Sequence, residues 1–80
     1  MPMIQSEHSI QYAKFCDLMI AARKEHGITQ ADLAQRLGQP QPFVSKYERG
    51  DRRIDIVEFL AITRAICADP HEIIRKLDEA

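Results

Sequence analysis

The sequence predicts an all-α domain of five helices, and three features of its 80 residues point there. No run alternates apolar and polar residues with the Val, Ile and Thr enrichment of a strand, and no hairpin turn of the Asn-Gly kind occurs. Apolar residues recur instead at spacings of three and four. Residues that start and stop helices punctuate those runs: Ser6 or Ser9, Thr29, Asp55 and Asp69 ahead of them, Gly27, Gly38 and Gly50 behind.

The length suits one domain, 1–80, with residues 1–8 as a short N-terminal extension, because a chain of this size builds only one small core. Three Gly and four Pro with 45% hydrophobic residues exclude a disordered or collagen-like chain. No basic leader or uninterrupted apolar run of about 18 residues is present, so no membrane partner and a soluble, cytoplasmic protein are expected. Cys16 and Cys67 lie far apart with no Cys or His at ligand spacing, and both fall in helical patterns. They read as buried, reduced thiols, with no metal and no cofactor.

Element by element, the first helix is expected from Ser6 or Ser9 to His26. Tyr12, Phe15, Met19 and Ala22 form its inward stripe, while Leu18 and Ile20 need a second burial surface. The second starts at Thr29, with Asp32 three residues on as a near capping box, and ends at Gly38; Ala31, Leu33, Ala34 and Leu37 are its apolar face. Gln39 to Pro42 turn the chain, prolines being tolerated in a first helical turn, and a third helix follows from about Gln41 to Arg49. Asp55 caps a fourth with Glu58 at the box position, its inward face being Ile56, Phe59, Leu60, Thr63 and Ile66. Asp69, Pro70 and Glu72 open a fifth, before Ile73, Ile74 and Leu77.

The second and third helices, residues 29–50, are short and joined by a tight turn, so they cannot bury their own apolar faces and must stand on the flanking helices. That is a helix-turn-helix, whose second helix has a face free to enter a major groove. Val44 and Tyr47 would anchor that helix inward. Gln41, Pro42, Ser45, Lys46 and Arg49 would face outward, a set suited to base edges and phosphates. Net charge is only -1, yet residues 23–53 hold seven basic residues against four acidic. One basic pole is enough to present a positive face to a duplex.

The stretch from Phe15 to Leu77 resembles the phage-repressor Cro/CI, or XRE-like, helix-turn-helix family, whose domain is the five-helix lambda-repressor-like fold. The resemblance rests on Thr29-Gln30-x-x-Leu33-Ala34, then Gly38, then Val44-Ser45-Lys46-Tyr47-Glu48-Arg49-Gly50. It implies a sequence-specific transcriptional regulator, and is similar to short stand-alone regulators such as restriction-modification controllers, phage-type repressors and antitoxins. By that resemblance Gln30 bonds a phosphate and braces Gln41, Gln41 reads a base, and Lys46 contacts a base or phosphate. Arg49, Arg52 and Arg53 lie along the DNA backbone, and Arg23 with Glu48 forms a partly buried salt bridge. Pro42 and Phe43 depart from the small or polar readers of relatives. Phe43 either touches a thymine methyl or covers the edge of the core.

The expected partner is a double-stranded operator with pseudo-palindromic symmetry, bound by a homodimer. Val57, Ile73, Ile74 and Leu77 are the expected dimer surface, with Leu18 and Ile20 of the first helix as the competing one. His8, His26 and His71 read as surface residues. Asp55 with Glu58 and Asp69 with Glu72 read as caps, so no catalytic residue and no enzyme activity are expected. The rival reading is a helix-turn-helix that binds a protein partner and has lost DNA.

Overall fold

The structure, a computed structural model, describes the chain from Met3, with side chains from Ile10 onward; Met1, Pro2 and the side chains of Ser6, His8 and Ser9 lie outside the described residues. Five helices and no strand are present among the described residues: α1 Met3–Glu25, α2 Gln30–Leu37, α3 Gln41–Glu48, α4 Ile56–Ala65 and α5 Pro70–Glu79. The all-α fold expected from the sequence is the one observed. The start of the first helix is not where it was expected. It runs through both serines to Met3, so neither caps it, and residues 3–8 are helix rather than an extension. A helix already nucleated gains one bond per added residue, and nothing between Met3 and Ser9 breaks it.

Local chemistry sets the other boundaries. Thr29 accepts from the Asp32 N–H and Asp32 accepts from the Thr29 N–H, a complete capping box with Asp at its third position. The Thr29 N–H, with the Thr29 hydroxyl beside it, holds the Asp32 carboxyl below its ordinary value. Asp55 and Glu58 repeat the box on α4. At α5, Asp69 accepts from His71 N–H with Pro70 in the first turn, while Glu72 turns outward to pair with Arg75. Gly38 ends α2 at φ 67, a left-handed conformation that costs a residue with a Cβ about 1–2 kcal/mol. α4 ends in the same way, but its left-handed residue is Cys67, at φ 60.

The core draws on every helix: Met19 of α1, Leu33 and Ala34 of α2, Val44 and Tyr47 of α3, Phe59, Ile62 and Ile66 of α4, and Ile73 of α5, with Ile28 from the α1–α2 turn. α2 packs on α3 and α4, and α1 packs on α3 and α5, so the helix-turn-helix rests on a base of three helices. Arg36 of α2 reaches across to donate to the Ala65 carbonyl at 2.7 Å, satisfying one open carbonyl at the end of α4.

Burial revises several inward faces. On α1 the fully buried line is Cys16, Met19 and Arg23, with Tyr12, Phe15, Leu18 and Ala22 half-buried beside it. Leu18 packs against the core and is not a free surface. Cys67 is exposed, because a residue just past a helix end points its side chain away from the helix it terminates. Ile62 is buried and was not expected to be, whereas Ile56 and Ala31 are exposed. Ile56 keeps the register of Phe59 and Thr63, but it stands in the first turn of α4, beyond the reach of the core. Ile73 is 5% exposed and belongs to the core.

The two left-handed helix ends give opposite expectations. Replacing Gly38 by Ala should lower stability by about 1–2 kcal/mol through backbone strain, since the added Cβ meets no atom within 4 Å. Cys67→Gly should raise it by about 0.5–1 kcal/mol, the relief being offset in part by a freer unfolded chain. Urea denaturation of both variants measures the pair.

Candidate nucleic-acid interface

α3 begins with few open donors. Pro40 precedes it without a side-chain cap, Pro42 lies in the first turn, and Phe43 N–H already bonds the Pro40 carbonyl at 3.0 Å. Prolines carry no N–H, so this helix start offers an anion little beyond the Gln41 N–H. What α3 presents is side chains. Val44, Tyr47 and Glu48 are buried, which turns Gln41, Pro42, Lys46 and Arg49 outward, with Ser45 half-buried and bonded to the Pro42 carbonyl.

Behind that face lies a polar network. Arg23 Nε donates to Glu48 Oε2 at 2.7 Å and Arg23 Nη2 to Glu48 Oε1 at 3.0 Å, with side chains 8% and 4% exposed. Arg23 Nη1 donates to the Ile28 carbonyl at 2.8 Å, so the fork also holds the turn into α2. Glu48 Oε1 accepts in addition from Gln30 Nε2 at 2.9 Å. Gln30 Oε1 in turn accepts from Gln41 Nε2 at 3.5 Å. A chain of bonds therefore runs from the buried pair to the amide at the start of α3.

The remaining cations are unevenly available. Arg49 pairs with Asp51 at 2.9 Å, both well exposed, a pair of small energetic consequence. Arg52 forks onto Glu58 at 2.8 and 3.2 Å and lies 4.8 Å over the Phe43 ring. That bond raises the Arg52 pKa and lowers that of Glu58. Arg53 lies 4.2 Å over the Tyr12 ring, whose hydroxyl accepts from Ile54 N–H. Lys46 is exposed and has no anionic partner among the described residues. The basic pole counted from sequence is thus partly neutralised, by Glu48, Asp51 and Glu58.

Phe43 is half-buried, packed against the core, and tilted on Tyr47 at 5.8 Å between ring centres. It covers the core edge under the Arg52 guanidinium. Tyr47 itself is fully buried; burial pushes its phenol far above the ordinary value, and its hydroxyl has no partner among the described residues. One feature was not singled out from sequence. Exposed Lys24 lines a shallow groove with Thr29, Gln30, Ala31 and Gln41 at the start of α2. The signal for it was there, a lysine shortly before a capped helix start, but only folding brings α1's end beside Gln41. No cluster of His, Cys, Asp and Glu able to hold a metal occurs among the described residues, and no helix there is long and apolar enough to cross a membrane.

A short helix pair on a three-helix base, with an outward polar face on the second helix, defines a DNA-binding domain of the helix-turn-helix class. The HTH_3 helix-turn-helix family matches residues 19–66, and the chain belongs to it. Five chains of solved structures match. One is described as an XRE-family like protein from Pseudomonas syringae pv. tomato str. DC3000, with 42% identity and a TM-score of 0.93, covering 99% of this chain and 96% of that one. No curated protein matches. The protein is therefore a DNA-binding regulator of the XRE type.

Glu48→Gln should cost about 3–5 kcal/mol, because it leaves a buried guanidinium without its anion. Replacing both partners, Arg23→Met with Glu48→Leu, should cost far less. Thermal melting of the single and double variants checks the difference.

Proposed function

We propose that this protein is a homodimer that reads a pseudo-palindromic operator, placing α3 of each copy in successive major grooves about 34 Å apart, and that it represses by occupying promoter DNA. The observation that carries the reading is the chain Glu48–Gln30–Gln41, whose last link, a long bond of 3.5 Å, orients an amide at the first turn of α3 at the edge of its solvent face. A glutamine so oriented matches the paired donor and acceptor of adenine in the major groove. Lys46, one turn on and without an anionic partner among the described residues, reaches a base or phosphate. Gln30 and Lys24 face a phosphate at the start of α2, where the helix dipole favours an anion. Arg49, Arg52 and Arg53 follow the backbone, with Ser45 and Pro42 at the groove wall.

The dimer surface is the apolar groove between α4 and α5. Phe15, Ile54, Ile56, Phe59, Ile74 and Leu77 line a hollow of about 210 Å³. Ile56, Val57 and Ile74 stand 63%, 71% and 49% exposed on and around it. So many large apolar side chains, gathered on one face of a small domain, favour a partner. A second copy supplies the same shape, and a two-fold axis there gives the half-site symmetry that the operator reading needs. Ile73, like Phe59, is buried and lines only the floor of this hollow, where it also belongs to the core.

Ile74→Asp should convert the dimer to a monomer in sedimentation without unfolding it; an unchanged dimer would remove this surface from the proposal. For recognition, Gln41→Ala and Lys46→Ala should each shift sequence preference by about 1–3 kcal/mol at one position, while Arg53→Ala weakens all duplexes alike. Selection from random DNA followed by binding titrations reads both effects. The logarithm of affinity should fall against that of salt with a slope of about -0.9 per phosphate contact. A flat salt titration would favour a protein partner instead.

A further inference from the structure

Arg52 is held more firmly than a surface arginine needs to be. Its Nη2 and Nη1 donate to Glu58 Oε2 and Oε1 at 2.8 and 3.2 Å, and the second Nη1 hydrogen meets the Arg53 carbonyl at 3.4 Å. Glu58 cannot follow a moving arginine, because its Oε1 also accepts from Asp55 N–H and its own N–H is held by Asp55 Oδ1. Below the guanidinium lies Phe43, itself packed on Tyr47. The loop is anchored too, since Asp51 and Arg52 N–H both bond the Lys46 carbonyl, at 2.9 and 3.3 Å.

One edge of the guanidinium is left. The Nε–H and the second Nη2–H have no partner among the described residues, and they lie parallel, the geometry that takes two oxygens of a phosphate. At about 100° per residue, Phe43 is about 60° around α3 from Lys46. Arg52 therefore stands at the shoulder of the recognition face.

Building on the DNA-binding reading above, we infer that Glu58 is a positioning and specificity residue. It fixes Arg52 so that its free edge meets one backbone phosphate only when α3 is seated in its own register. A loose arginine reaches phosphates in any register and rewards every sequence. A clamped one rewards a single docking geometry, and the Glu58 charge repels backbones that approach in others.

The test uses duplex DNA selected from a random pool by the wild-type protein, a scrambled duplex of equal length, and salt titrations of both. Glu58→Gln keeps the capping box but not the charged fork. It should lower the preference for selected over scrambled DNA about tenfold, one charge-assisted contact's worth, with scrambled binding unchanged or stronger. Arg52→Lys keeps the charge without the fork and should lower the preference likewise. In an Arg52→Ala background, Glu58→Gln should change the preference no further. If Glu58→Gln shifts both duplexes by the same factor, or acts as strongly without Arg52, the positioning role is overturned. If the wild-type protein shows no salt-dependent binding to any duplex, the DNA-binding reading falls with it.

Discussion

The buried pair of Arg23 and Glu48 is the constraint on which the rest of the arrangement depends. Taking both charges out of water costs several kcal/mol each, and only a fully bonded geometry offsets that. Here it is met: three guanidinium nitrogens find acceptors in Glu48 and the Ile28 carbonyl, and the carboxylate takes a third donor from Gln30. One pair thereby ties α1, the turn after it, α2 and α3 into a single relation. Such a pair contributes little net stability compared with apolar residues of the same shape. Its effect is to leave one tolerable placement of α3, because any other strands a charge away from water.

The bonds that leave this pair reach the surface through Gln30 and Gln41. A surface amide is ordinarily free to rotate, and ordering it on binding costs side-chain entropy. Gln41 is directed before any partner arrives, although its 3.5 Å bond to Gln30 is a weak one. The charged rim follows the same logic. Three of the arginines near α3 are engaged by carboxylates or aromatic rings within the chain. In a domain of net charge -1, these pairings reduce the charge that the basic pole offers a polyanion.

Much of the fold was legible along the chain because helix ends are written in a few adjacent residues. Thr29 with Asp32, Asp55 with Glu58, Asp69 with Pro70, and Gly38 all act within one turn, and each appears in the structure at its expected place. The start of α1 was not legible, since a serine inside a helix looks like a serine at its cap. Cys67 was misplaced because a left-handed helix end is usually a glycine, and nothing in the sequence marks an exception. Ile56 and Ile73 obey the same periodicity, yet one is exposed and the other is core. Periodicity states which residues share a face but not how far the opposing helix extends along it.

By itself the sequence determined the order of the five helices, the turn from Gly38 to Gln41, and the residue types on the outward face of α3. These follow from interactions between residues at most four apart, where the backbone settles the geometry. The pairing of Arg23 with Glu48 was already implied by the family resemblance, but only the tertiary structure decided how the other cations are engaged: Arg52 is forked onto Glu58, and Lys46 is left without an anionic partner among the described residues. Tertiary packing also decided that Phe43 covers the core and that Ile73 belongs inside. Each depends on side chains brought together from different helices, where distance in the chain carries no information about distance in space.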